Sequence, residues 1–227
     1  MTFFDKYPDF TEHTPAPGIN RLNKRWQILF KNNKELIAGK RILDLGSFNG
    51  RWTAAALDLG AKHVIGIEGR LNSIRRAEEL LQRNKFDSNS YQLIHSDITK
   101  WLRNATEHFD TILCLGVFYH FHNHTEIFNL LKGLEPEHIL LDTTVNRDTT
   151  GATVKFKIEQ TDHRLCGTEE MKKGLTWVGI PNNIFIHRLA GIINYKILDL
   201  SWDNVTCPGT TDYQNKGKRT YLLSRVL

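Results

Sequence analysis

No run of 18 uncharged apolar residues occurs in the chain, so nothing in it is built to cross a membrane as a helix. Cysteine is scarce. Cys114, Cys166 and Cys207 are widely separated and show no C-x-x-C spacing. Such a set excludes a disulfide scaffold and a cysteine-type zinc site, and it suits a reducing, cytoplasmic setting. The start, Met1-Thr2-Phe3-Phe4-Asp5-Lys6, lacks the basic-then-apolar order of a secretory signal. Internal repeats and low-complexity segments are also missing. With 40% hydrophobic and 24% charged residues, the 227-residue chain is expected to be globular rather than disordered. Its length suits one domain with a real core. Charge of one sign is only mildly in excess, 30 Lys and Arg against 25 Asp and Glu for a net +5. That permits an anionic partner without demanding one.

What is present is a rhythm. Pro8, Pro15, Pro17 and Gly18 predict an irregular arm over the first twenty residues. Leu22, Trp26, Leu29, Phe30, Leu36 and Ile37 then recur at helical spacing, with Arg and Lys between them, predicting an amphipathic helix. From residue 40, short apolar runs alternate with helical stretches. Strands are expected at 41–45, 63–68, 91–95, 109–115 and 138–142, with helices reaching Leu59, spanning Leu71 to Asn84, and lying near Trp101 and around Ile127 to Leu131. This alternation means βαβ units and a parallel sheet covered on both faces. After residue 145 the rhythm breaks. The stretch 146–176 is polar, with weak strand character at 153–158. A helix follows Pro181, and two closing strands lie near 195–200 and 219–226. The expected fold class is α/β, a doubly wound, mostly parallel seven-stranded sheet with an antiparallel last strand. Residues 1–39 form an N-terminal arm and cap helix, 40–227 the main domain, and 146–180 an insertion covering the substrate.

In such a sheet a ligand lies at the carboxyl ends of the strands. The first end reads Asp44-Leu45-Gly46-Ser47-Phe48-Asn49-Gly50. Gly46 lets the chain turn sharply out of the strand, and Gly50 lets the next helix begin close to a ligand. Phe48 holds the second glycine position of the dinucleotide fingerprint, so that fingerprint is absent. A carboxylate at a strand end would repel a pyrophosphate and suits a cationic ligand. Glu68 ends the second strand 24 residues after Asp44, a spacing that suits hydrogen bonds from ribose hydroxyls. Asp97 ends the third and can accept from an adenine amine, although Ser96-Asp97 is also an ordinary helix cap. Three acids beside a glycine turn describe a pocket for a cationic adenosine derivative, and S-adenosylmethionine fits that description.

Residues 40–145 resemble a class I S-adenosylmethionine-dependent methyltransferase, Rossmann-like in fold, strand by strand and in order. Ile42-Leu43-Asp44-Leu45-Gly46-Ser47-Phe48-Asn49-Gly50 is similar to the family's glycine-rich first motif, with Phe48 replacing its commonest Gly. Glu68 matches the ribose acid, and Asp97 with Ile98 the adenine-contacting position. Leu115-Gly116-Val117-Phe118-Tyr119-His120 is similar to the post-strand-four motif of a subgroup that includes tRNA wobble-uridine carboxymethyltransferases and small-molecule methyltransferases. The resemblance implies a cofactor site of Asp44, Gly46, Ser47, Phe48, Gly50, Glu68, Gly69, Asp97, Ile98 and Leu115, with S-adenosyl-L-homocysteine as product. It also implies Tyr119 and His120 at the reacting methyl, and Arg147 and Trp177 beside them on the acceptor. Asp142, ending the fifth strand, is a further acceptor-side candidate.

His120 is the candidate general base, because imidazole titrates near neutrality; packing the acceptor is its other reading. His120, His122 and His124 alternate in sequence, but a strand turning into a helix would not keep three imidazoles on one side, so no metal site is expected. His122 and His124 are read as solvated, and Cys114 as core. Methyl transfer to a small molecule at O, N or S is the leading expectation. RNA of the tRNA wobble-uridine type is the alternative acceptor, and a non-catalytic S-adenosylmethionine-binding module the third reading. Charge is unevenly spread: residues 1–39 carry 6 basic and 4 acidic groups, 40–145 carry 12 and 13, and 146–227 carry 12 and 8. The positive excess lies on the flanks, which points to an anionic acceptor.

Overall fold

A computed structural model describes residues 1–12, 14–160 and 175–226. Among the described residues nine strands run β1 (Arg41–Leu45), β2 (His63–Glu68), β3 (Tyr91–His95), β4 (Thr111–Leu115), β5 (His138–Thr144), β6 (Val154–Gln160), β7 (Leu175–Pro181), β8 (Tyr195–Leu200) and β9 (Lys218–Arg225). Seven form one sheet in the order β3-β2-β1-β4-β5-β9-β8, and β6 pairs with β7 alone. β3 to β5 pair in parallel, while β9 runs antiparallel to both neighbours. The expected seven-stranded, mostly parallel, Rossmann-like sheet with an antiparallel last strand is the observed one.

Alternation along each strand divides the core in two. Leu43, Leu45, Ile112, Cys114, Ile139 and Leu141 pack on one face against α5 (Ile98–Leu102), α6 (His124–Gly133) and α7 (Asn183–Ile192). Ile42, Val64, Leu113 and Leu140 face the opposite way, against α3 (Arg51–Asp58), α4 (Leu71–Arg83) and the N-terminal region. Asp44 and Asp142 share the phase of Ile42 and Leu140, so both point toward the N-terminal layer.

That layer differs from the expected irregular arm. α1 (Phe3–Lys6) is closed by a capping box between Thr2 and Asp5, and a 3-10 turn follows at Pro8–Thr11. α2 (Ala16–Leu29) begins earlier than the apolar spacing indicated and stops at Leu29, followed by a 3-10 segment at Lys31–Leu36 kinked at Asn33. Pro17 lies in the first turn of α2, where a missing N–H costs nothing. Asn33 Nδ2 donates to Ile28 O and Leu29 O, which ends the α-helix. Phe3, Phe4 and Phe10 are buried in the same cluster as Ile42 and Trp52.

The stretch after residue 145 holds more strand than its sequence suggested. β6 and β7 make an antiparallel hairpin in which Ile158 faces Trp177 and Phe156 faces Gly179. Residues 161–174, and with them Cys166 and the middle of the expected covering insertion, lie outside the described residues. No helix among the described residues is long and apolar enough to cross a membrane.

Candidate active site

The turn after β1 is set by three left-handed residues: Gly46 at φ +70°, Phe48 at +52° and Gly50 at +76°. Glycine suits the first and last. A Cβ on Gly50 would also lie 3.1 Å from the Ala77 side chain, so α3 could not start so close to α4 with a larger residue there. Phe48 adopts the same region at a cost of roughly 1–2 kcal/mol. It is held there by its N–H, which donates to Glu68 Oε2 at 3.0 Å. The guanidinium groups of Arg51 and Arg70 each lie 5.0 Å from its ring centre. Ser47 is fully buried, and its hydroxyl has no hydrogen-bond partner.

Each of the three acids has a partner within the chain. Asp44 is buried and accepts from Thr53 Oγ1 at 2.8 Å. Burial, with a smaller push from Glu68, raises its carboxyl to about 7 against the hydrogen bonds from Thr53. Glu68 accepts from Phe48 N and Arg70 N, and Arg70 grips both carboxylate oxygens through Nε (2.7 Å) and Nη2 (3.1 Å). Asp97 Oδ1 accepts from Lys100 N at 2.8 Å and caps α5. Gly69 offers its carbonyl to His95 Nε2 at 3.1 Å, Ile98 packs on the core, and Leu115 is buried at the end of β4.

Beyond β4 the chain turns at Gly116 (φ +92°) into a 3-10 turn at Phe118–His120. The Tyr119 and His120 rings lie 4.1 Å apart, tilted at 35°, both half-buried. His124, expected in solvent, is instead buried against Phe118 at 4.7 Å. Burial pulls its imidazole down to about 4, so it stays neutral at physiological pH. It faces Gly179 of β7, where a Cβ would meet its ring at 2.6 Å; the hairpin created an apolar neighbour that the local pattern did not show. His122 is exposed. Cys114 is fully buried, and burial raises its thiol far above the ordinary range, which keeps it protonated. Among the described residues no three His, Cys, Asp or Glu side chains gather as a metal site. Arg147 and Trp177 are both exposed.

The side chains that sequence reasoning passed over surround Asp142. This carboxylate is fully buried and accepts from Arg25 Nη2 (3.1 Å), Tyr213 Oη (2.8 Å) and Thr220 Oγ1 (3.0 Å). Arg25 comes from α2, Thr220 from β9 and Tyr213 from α8 (Thr211–Gln214). Trp202 stacks on Tyr213 at 3.7 Å and donates to Thr220. A buried strand-end acid needs a cation or several donors, which was the available signal. Which basic residue would answer it, 117 positions away, no local pattern states.

The strand order and the glycine turn facing strand-end acids define a class: the fold of S-adenosylmethionine-dependent methyltransferases. The family model of the methyltransferase domain matches residues 36–217, and the chain belongs to that family. An uncharacterised protein of Haemophilus influenzae is 27% identical over 171 residues, 71% of this chain and 66% of that one; the chain thus matches just under two-thirds of that relative's length. Among solved structures, the N-terminal domain of EvdMO1 with S-adenosylhomocysteine bound superposes with a TM-score of 0.62 at 21% identity, covering 87% of this chain and 79% of that one. Magnesium protoporphyrin IX methyltransferase from Synechocystis, with S-adenosylmethionine bound, gives 0.62 at 13% identity over 99% and 94%.

Proposed function

We propose that the chain transfers a methyl group from S-adenosylmethionine to a small, anionic acceptor at O, N or S, releasing S-adenosylhomocysteine. One observation carries the cofactor assignment. The turn from Gly46 to Gly50 gathers a buried Ser47 hydroxyl without a partner, Asp44 and Glu68 at adjacent strand ends, and that set suits a ligand with hydroxyls and positive charge. Asp44, Gly46, Ser47, Phe48 and Gly50 would hold the methionine end. Glu68 with Gly69 would take the ribose, and Asp97, Ile98 and Leu115 the adenine. When bound, the cofactor supplies an electrophilic methyl on a good leaving group, so positioning alone can contribute up to roughly 7–11 kcal/mol.

The chain's own part is orientation. Tyr119 and His120, on the turn after β4, would border the acceptor, and His120 would take a proton where the accepting atom arrives protonated. α2, laid over the end of β5 through Arg25 and Asp142, would enclose the acceptor side, which suits a small molecule better than a polymer. The β6–β7 hairpin, touching the turn that carries His120, would cover the substrate as part of 146–180.

The test is incubation of the protein with an extract and S-adenosylmethionine labelled in the methyl group. The label should appear in small, anion-exchange-retained material. Label confined to RNase-sensitive material, with binding that falls steeply as salt rises, would replace this reading with the RNA one.

A further inference from the structure

Four basic side chains, Arg21, Arg25, Arg51 and Lys218, are close enough for their charges to act on one another, and among the described residues only two of them pair with an acid. Arg21 pairs with Asp212 at 2.7 Å, and Arg25 with Asp142 at 3.1 Å. Arg51 reaches only an amide oxygen, Asn49 Oδ1, at 2.9 Å. Lys218 has no carboxylate within ion-pair distance among the described residues. Neither surplus charge sits comfortably. Burial, then the neighbouring Arg25, pulls the Arg51 guanidinium down to about 10. Burial also lowers the Lys218 ammonium; Asp142 and Asp212 oppose that shift, and Arg25 and Arg21 add to it.

Their placement gives the charge a purpose. Arg51 lies 5.0 Å from the Phe48 ring centre, on the turn after β1. Lys218 Nζ lies 5.8 Å from the Tyr119 ring centre, on the turn after β4. Arg25 stands between them. Its guanidinium is 4.9 Å from the Trp52 ring centre, its Nη2 lies 3.8 Å from where a Cβ on Gly116 would stand, and its buried Nε makes no hydrogen bond. Three cations thus stand around the turns after β1 and β4, each against an aromatic ring: Arg51 on Phe48, Arg25 on Trp52 and Lys218 on Tyr119. Withdrawing cations from water costs several kcal/mol each unless an anion answers them.

We propose that Arg25, Arg51 and Lys218 form the recognition site for an acidic group, a carboxylate or a phosphate, on the methyl acceptor. The inference rests on the methyl-transfer reading and deepens it. The cofactor's net charge does not balance the cluster: S-adenosylmethionine brings one carboxylate with a sulfonium and an ammonium, so loading it adds net positive charge. An acidic group on the acceptor would supply the balancing anion and fix the accepting atom against the methyl. Arg147 is not part of this set; it is exposed, with Nη2 beside Gly217 at the rim.

The test uses the full chain saturated with S-adenosylhomocysteine and titrated calorimetrically with glutarate and with inorganic phosphate. The wild type should bind at least one of them. Lys218→Gln and Arg51→Gln should each weaken that binding tenfold or more, while Lys196→Gln, an equal charge loss on the exposed face of β8, leaves it unchanged. Lys218→Arg should restore affinity to within about threefold, which separates a lost charge from a damaged fold. Affinity for S-adenosylhomocysteine should stay within about twofold throughout. The proposal is overturned if the wild type binds neither anion, or if Lys218→Gln and Arg51→Gln behave like Lys196→Gln. It is also overturned if the variants lose S-adenosylhomocysteine binding tenfold yet keep 5′-methylthioadenosine, which lacks the carboxylate; the cations would then serve the cofactor. A wild type that binds no S-adenosylhomocysteine at all removes the reading beneath, and that result is read separately.

Discussion

Burial of Asp44 under Thr53 makes its carboxyl a titrating group near neutrality, raised to about 7 from 3.8. The native state therefore holds a proton that the unfolded chain releases. Stability from this group is fully present below about pH 4 and is lost as pH rises through 7. A cationic ligand reverses the preference, because it favours the ionised form. Cofactor affinity should rise about tenfold between pH 6 and pH 8 through this residue alone. Calorimetry on Asp44→Asn against wild type checks it, since the variant should lack that component of the slope. Glu68 makes a second case. Its four hydrogen bonds, two of them from the Arg70 side chain, occupy the lone pairs that ribose hydroxyls would need. Arg70→Ala should strengthen adenosine binding several-fold, whereas Glu68→Ala should weaken it about tenfold. Equal effects from the two substitutions would show that Arg70 helps rather than competes.

At the scale of elements, the N-terminal forty residues are the main surprise. Their prolines signal irregularity, but Phe3, Phe4 and Phe10 are apolar enough to be drawn onto the sheet, and their rings interlock with Tyr7, Trp52 and Phe86. Phe4→Ala should cost about 3–5 kcal/mol in chemical denaturation, the range for a buried aromatic. The β8–β9 loop closes on α2 from the other side. Gly209, at φ +88°, packs so tightly against Pro17 that a Cβ there would overlap the Pro17 carbonyl. Gly209→Ala should therefore be destabilising by roughly 1–3 kcal/mol, read as a lowered melting temperature. The helical spacing of Leu22, Trp26 and Leu29 was legible because one apolar stripe suffices to define it. The start of α2 was not, because a proline reads as a break unless its position within the first turn is known.

Across the whole molecule, Asp142 ties three layers together: the sheet through β5 and Thr220, the N-terminal layer through Arg25, and the closing loop through Tyr213. Asp142→Ala leaves the largely covered Arg25 without its counter-ion, which should cost about 3 kcal/mol. The same variant should expose residues 1–30 to protease before the sheet unfolds. A cleavage pattern identical to wild type would show that the hub does not hold the layers together.

The strand order was not written locally in the chain, but the number of strands in the main sheet, its mostly parallel direction, the glycine turn and the acids at three strand ends were. Each depends on periods of two or 3.6 residues and on turn chemistry within a few positions. That is why the seven-stranded fold and the candidate cofactor loop could be read before any coordinates. The proposed acceptor side could be read only in part. Tyr119, His120 and Asp142 were legible after their strands, but Arg25, Arg51 and Lys218, from the N-terminal helix, the helix after β1 and strand β9, were not. Whether a basic residue is a solvated surface charge or a buried ligand hand depends on which distant acid or aromatic folding sets beside it. Only the tertiary structure, which packs α2 over the ends of β4 and β5, decides that Arg25 is largely covered and Arg147 is exposed.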